Sequence, residues 1–138
     1  MGLSPMIWGS QAWHFIHCVA MSYPENPTSE DKERYLRFFN ALGETLPCEI
    51  CAQHFRQEMD KTPPRMQSRK DLFEWTVDVH NAVNKRNGKR PLTYAEAIRE
   101  VESNVEYRKT RRMVQGMAFG VGMVVILFLV GHQLAKKK

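Results

Sequence analysis

From Val114 to Leu134 the chain reads VQGMAFGVGMVVILFLVGHQL, with no fixed charge, and Met117 to Val130 is apolar or glycine throughout. About twenty residues at helical rise cross the hydrocarbon core of a bilayer. No 3.6-residue periodicity is present, as expected of a helix that is apolar all round. A domain of about a hundred residues is too small to hide such a helix on every face. The sequence therefore predicts a transmembrane helix at 114–134, framed by RKTRR (Arg108 to Arg112) and by Lys136 to Lys138. That divides the chain into a domain at 1–107, a basic juxtamembrane linker at 108–113, the span, and a basic tail at 135–138.

The same division explains the charge. The chain carries +5 overall, yet residues 108–138 hold seven Lys/Arg and no Asp/Glu. Residues 1–107 hold thirteen basic and fifteen acidic side chains, a formal −2, so the basicity belongs to the membrane flanks and argues against nucleic-acid binding. The start, MGLSPMIWGS, has neither a basic nor an apolar run and does not read as a signal peptide. The expectation is a single-pass, C-terminally anchored protein whose domain faces the cytosol, the side with the heavier positive flank.

The rest reads as short helices. One runs from about Trp8 to Ser22, with Trp13, Ile16 and Ala20 on one stripe, and YPENP ends it. Thr28 and Asp31 form a capping box for a second, whose buried face is Tyr35, Phe38, Phe39 and Leu42. Pro47 suits the first turn of a third helix carrying Cys48, Cys51 and Phe55. Ser68 and Asp71 open a fourth along Leu72, Trp75, Val79 and Val83, stopped by Asn87-Gly88. Thr93 and Glu96 open a short fifth. No alternating pattern or internal repeat occurs, so the fold class is all-α.

Within TLPCEICAQHF (Thr45 to Phe55), Cys48 and Cys51 stand two residues apart at a helix start, where backbone N–H groups favour a thiolate. Three chemistries compete. Structural zinc wants four ligands, and no second Cys pair is present, although His54, His17 and His80 could complete a Cys/His metal site in a non-enzymatic adaptor. A thioredoxin-type shuttle follows a strand, and none is evident. The third chemistry is electron transfer to a bound cofactor. For that, HNAVNKRNGK (His80 to Lys89) supplies a ring, amides and cations at helical spacing, though a solvated helix end would look similar. Phe38, Phe39 and Trp75 read as core aromatics rather than a cofactor box.

Together, WGSQAWHFIH, the following YP, LPCEIC and HNAVNKRNGK resemble, in order and spacing, the Erv/ALR family of FAD-linked sulfhydryl oxidases over about residues 7–100. The resemblance implies a four-helix FAD-binding bundle with the cysteine disulfide against the flavin. It implies that Cys48 receives the incoming thiolate, that Cys51 is the flavin-proximal sulfur, and that O2 takes the electrons as H2O2. Gly9, Trp13, His17, Tyr23 and His54 match positions lining the flavin. His80, Asn81, Val83, Asn84, Lys85 and Lys89 match the adenine, ribose and phosphate contacts. No metal is implied. The implied partners are thiol-containing proteins, reached through a small dithiol relay protein, and a second copy of the chain paired through its first two helices. Cys18 stands alone in the first helix and reads as a buried bystander thiol. A minimal domain without a shuttle cysteine pair is similar to the versions encoded by large DNA viruses, which would place it in a virion or host membrane.

Overall fold

The computed structural model describes residues 2–103. The 108–113 linker, the 114–134 span and the 135–138 tail lie outside the described residues. Among the described residues no helix is long and apolar enough to cross a membrane. Four helices, α1 (Pro5–Met21), α2 (Ser29–Thr45), α3 (Glu49–Lys61) and α4 (Arg69–Arg86), are followed by a fifth, α5, at 94–103. The first compact unit of the chain ends at Val101.

Local chemistry sets most boundaries. The α2 capping box is formed: the Thr28 hydroxyl accepts the Asp31 N–H, and the Asp31 carboxylate accepts the Thr28 N–H. Ser68 caps α4 through the Asp71 N–H, and Thr93 caps α5 through the Glu96 N–H. Two boundaries differ from expectation. Helix α1 begins at Pro5, with Ser4 as its cap, because proline fits the first helical position where no N–H partner is needed. Helix α3 begins at Glu49, leaving Pro47 outside it, because the Cys48 sulfur takes the capping role.

Helix α1 packs on α4, α2 on α3, and α3 on α4. At the centre Trp75 and Phe39 are fully buried and meet edge to face at 4.9 Å, with the Trp75 indole N–H donating to the Thr62 carbonyl at 2.7 Å. On α2 only Phe39 of the expected face is fully buried. Tyr35, Phe38 and Leu42 pack against the core from its margin, and on α4 Val83 is likewise half-buried.

Candidate functional site: a disulfide cap and an aromatic–histidine cluster

Two constellations carry chemistry. The first is the entry to α3. Cys48 is extended (φ −135°, ψ 113°) and its Sγ accepts the Cys51 N–H at 3.3 Å. The two cysteines are joined as a disulfide with their Cα atoms 5.1 Å apart, and both are half-buried. That N–H and the helix N-terminus are placed to stabilise negative charge on the Cys48 sulfur. Glu49 and Ile50 between them are exposed.

The N-terminal residues reach the same place, although no motif in them points there. The Leu3 N–H donates to the Pro47 carbonyl at 2.8 Å, and the Trp8 indole holds the Leu3 carbonyl at 3.3 Å. A Cβ on Gly2 would lie 2.6 Å from the Pro47 oxygen and 3.0 Å from the Cys48 Cα, so only glycine fits there.

The second constellation joins α1 to α4. Trp13 and His80 stack at 4.3 Å with their planes 7° apart. His17 is buried between α1 and α4. Its Nδ1 is 3.0 Å from the Thr76 hydroxyl and its Nε2 is 3.1 Å from His80 Nδ1. Burial pushes His17 down to about 3, with His80 and His14 adding to the effect. Burial likewise pushes His80 down to about 4, and the Lys89 charge adds to it. Both imidazoles are therefore neutral at physiological pH.

Lys89 comes near His80 because of how α4 ends. Gly88 takes φ +67°, a left-handed conformation that glycine adopts without strain. The Gly88 N–H then donates to the Lys85 carbonyl and the Lys89 N–H to the Asn84 carbonyl, a Schellman closure. This turns the chain back along α4.

The remaining expected site residues fall in different places. Gly9 is half-buried, with open space where a Cβ would stand. Tyr23 is fully buried, and its hydroxyl donates to the Met66 carbonyl at 3.1 Å. Asn81 accepts the Leu92 N–H at 2.7 Å and donates to the Leu92 carbonyl at 2.8 Å, so it ties α4 to the segment before α5. Asn84 is buried, Val83 and His54 are half-buried, and Lys85 and Lys89 are exposed. Cys18 is half-buried rather than buried, because it lies beside His14 (Sγ to Nε2 3.7 Å) instead of in the core. Among the described residues no group of three or more His, Cys, Asp or Glu could hold a metal ion.

The sequence profile of the Erv1/Alr family matches residues 10–106, which include both constellations. The chain belongs to the Erv1/Alr family. It is 44% identical over 110 residues to a probable FAD-linked sulfhydryl oxidase of Acanthamoeba polyphaga mimivirus, covering 78% of this chain and 77% of that one. It is 36% identical over 78 residues to the mitochondrial FAD-linked sulfhydryl oxidase ERV1 of Saccharomyces cerevisiae, covering 56% of this chain and only 41% of the yeast protein. The crystal structure of the FAD-binding domain of Erv1 from Saccharomyces cerevisiae superposes with a TM-score of 0.68 at 29% identity, over 73% of this chain and 96% of that one.

The residues present fit a flavin dinucleotide. Trp13 and His80 give a flat aromatic surface that remains half-exposed, and neutral imidazoles give hydrogen-bonding atoms beside it. Lys85 and Lys89 are exposed amines without an ion-pair partner among the described residues, suited to a pyrophosphate, whereas neighbouring Arg86 is tied to Glu58 at 2.7 Å.

Proposed function

We infer that the chain is an FAD-linked sulfhydryl oxidase that makes disulfide bonds in partner proteins, with Cys48 and Cys51 as the exchange pair. The observation that carries this is the disulfide closed across the cap of α3, half-exposed, in a bundle of the Erv1/Alr type. A substrate thiolate attacks Cys48 Sγ, the S–S bond breaks, and Cys51 leaves as a thiolate. A second substrate thiolate then attacks the substrate sulfur of the mixed disulfide, releasing oxidised substrate and the Cys48 thiolate. Two electrons now reside on the cysteine pair. Bound FAD would supply the two-electron acceptor by which the Cys48–Cys51 dithiol returns to the disulfide, with O2 and two protons as the source of H2O2. The Cys51 N–H stabilises the Cys48 thiolate in this cycle.

For cofactor binding, Trp13 and His80 offer the stacking surface, Lys85 and Lys89 the cations, and Gly9 close approach. His17 backs the stack through its 3.1 Å contact with His80, and Tyr23, His54, Asn81, Val83 and Asn84 are assigned to the cofactor site on the family resemblance. The test is the visible spectrum of the purified full chain, followed by a dithiol under air. A yellow protein that bleaches with thiol and recovers as peroxide accumulates is expected. A colourless, folded protein holding stoichiometric zinc would make the cysteine pair a metal clip in an adaptor instead.

The uncharged stretch at 114–134 supports anchoring in a membrane with the catalytic domain on the cytosolic side. Protease digestion of sealed vesicles carrying the chain should destroy the domain from outside, and protection would reverse the topology. Exposed Met6, Ile7, Phe15 and Leu36 on α1 and α2 support a homodimer through these helices. Sedimentation showing a monomer at micromolar concentration would remove it.

A further inference from the structure

The hydrogen bonds between α1 and α4 fix where protons sit. Thr76 is fully buried, and its single hydroxyl proton is committed: Oγ1 donates to the Phe73 carbonyl at 2.7 Å, one turn back in α4. With that proton spent, the 3.0 Å contact to His17 Nδ1 requires His17 to be the donor. A neutral His17 protonated at Nδ1 has a bare Nε2. The 3.1 Å contact from His17 Nε2 to His80 Nδ1 then requires His80 Nδ1 to donate. His80, neutral and protonated at Nδ1, is left with a lone pair on Nε2. The reverse order is also continuous, with Thr76 donating to His17 and His17 donating to His80. It would require the Thr76 hydroxyl to abandon the Phe73 carbonyl, so the helix backbone chooses between the two.

We propose that Thr76 is a positioning residue that sets the proton order of the His17–His80 pair, so that His80 presents its Nε2 as a hydrogen-bond acceptor to a donor on the bound dinucleotide. The ligand chemistry this selects is a ribose hydroxyl or an amino or imino N–H, and it disfavours an unprotonated phosphate oxygen or carbonyl at that atom. Burial supports the order by keeping both rings neutral against the nearby His14 and Lys89, since a protonated His80 would have no lone pair to offer. The stack of Trp13 on His80 holds the ring plane, so the lone pair has a fixed direction.

This inference rests on FAD being the cofactor, and the test keeps the two apart. The flavin spectrum of the full chain reports whether FAD is bound at all. Long-range 1H–15N spectra of the flavin-loaded chain labelled on histidine nitrogen report the tautomers of His17 and His80. Both rings protonated at Nδ1 is the expected result. A yellow protein with either ring protonated at Nε2 would overturn the proton order while leaving the oxidase assignment standing. As a second arm, Thr76→Ser keeps the hydroxyl and should retain both tautomers and FAD affinity. Thr76→Val keeps the shape but removes the acceptor for His17, and should weaken FAD binding about tenfold and shift the histidine signals. Unchanged affinity and unchanged tautomers in Thr76→Val would also overturn the proposal.

Discussion

The two constellations are built on opposite terms. Where α1 meets α4, His17 is 2% exposed and Thr76 0%, both ring nitrogens of His17 and the Thr76 hydroxyl have partners, and the rings are held neutral. At the start of α3 the cysteines are half-exposed, with open Glu49 and Ile50 between them and the Cys48 sulfur serving as a helix cap. One end is fixed because an unpaired buried polar group costs stability, which suits a surface that must present one geometry to a cofactor. The other is left reachable because thiol–disulfide exchange needs an incoming sulfur to approach the S–S bond. A chain that must both hold a dinucleotide and react with protein thiols separates the rigid task from the accessible one.

The sharpest way to break this contrast is at the exchange pair. Cys51→Ser should lower thiol-dependent peroxide formation by at least about a thousandfold while the purified protein stays yellow, because the change removes a reacting sulfur without touching the α1–α4 cluster. Full turnover in that variant would show that electrons take another route. Next in size, Trp75→Ala should destabilise the bundle by about 3–5 kcal/mol in thermal unfolding, since it empties a fully buried site and orphans the Thr62 carbonyl. A loss below about 1 kcal/mol would mean the core can collapse around the gap.

Acid titration sharpens the comparison from the rigid side. The unfolded chain protonates both imidazoles near pH 6.5, whereas folded His80 and His17 resist until about 4 and about 3. Between these limits the unfolded state binds more protons, so stability should fall as pH drops from 6.5 towards 4. His80→Gln should flatten the slope in that window. Identical slopes would show that His80 is not held neutral. The smallest effect belongs to Cys18→Ser, expected to leave turnover within about twofold, because the thiol is half-buried beside His14 and outside both constellations. A large loss would make Cys18 part of the electron route.

Much of this was legible in order along the chain. The helix caps Thr28–Asp31, Ser68–Asp71 and Thr93–Glu96 and the Asn87-Gly88 stop act over three or four residues, so local sequence determined them. The cysteine spacing likewise determined that the pair could close. Thr76 could have been suspected, as a hydroxyl on the apolar face of α4 one turn before His80, but its partner lies 59 residues earlier in the sequence. The packing of Gly2 and Leu3 on Pro47 and Cys48 had no signal at all, since backbone contacts carry no residue pattern. Local hydrogen bonds and apolar periodicity thus fixed which segments became helices and where they stop. Only the tertiary structure decided which histidine nitrogen faces which partner, that Asn81 ties down Leu92, and that Tyr23 is sealed in the core, because these depend on atoms brought together from distant helices.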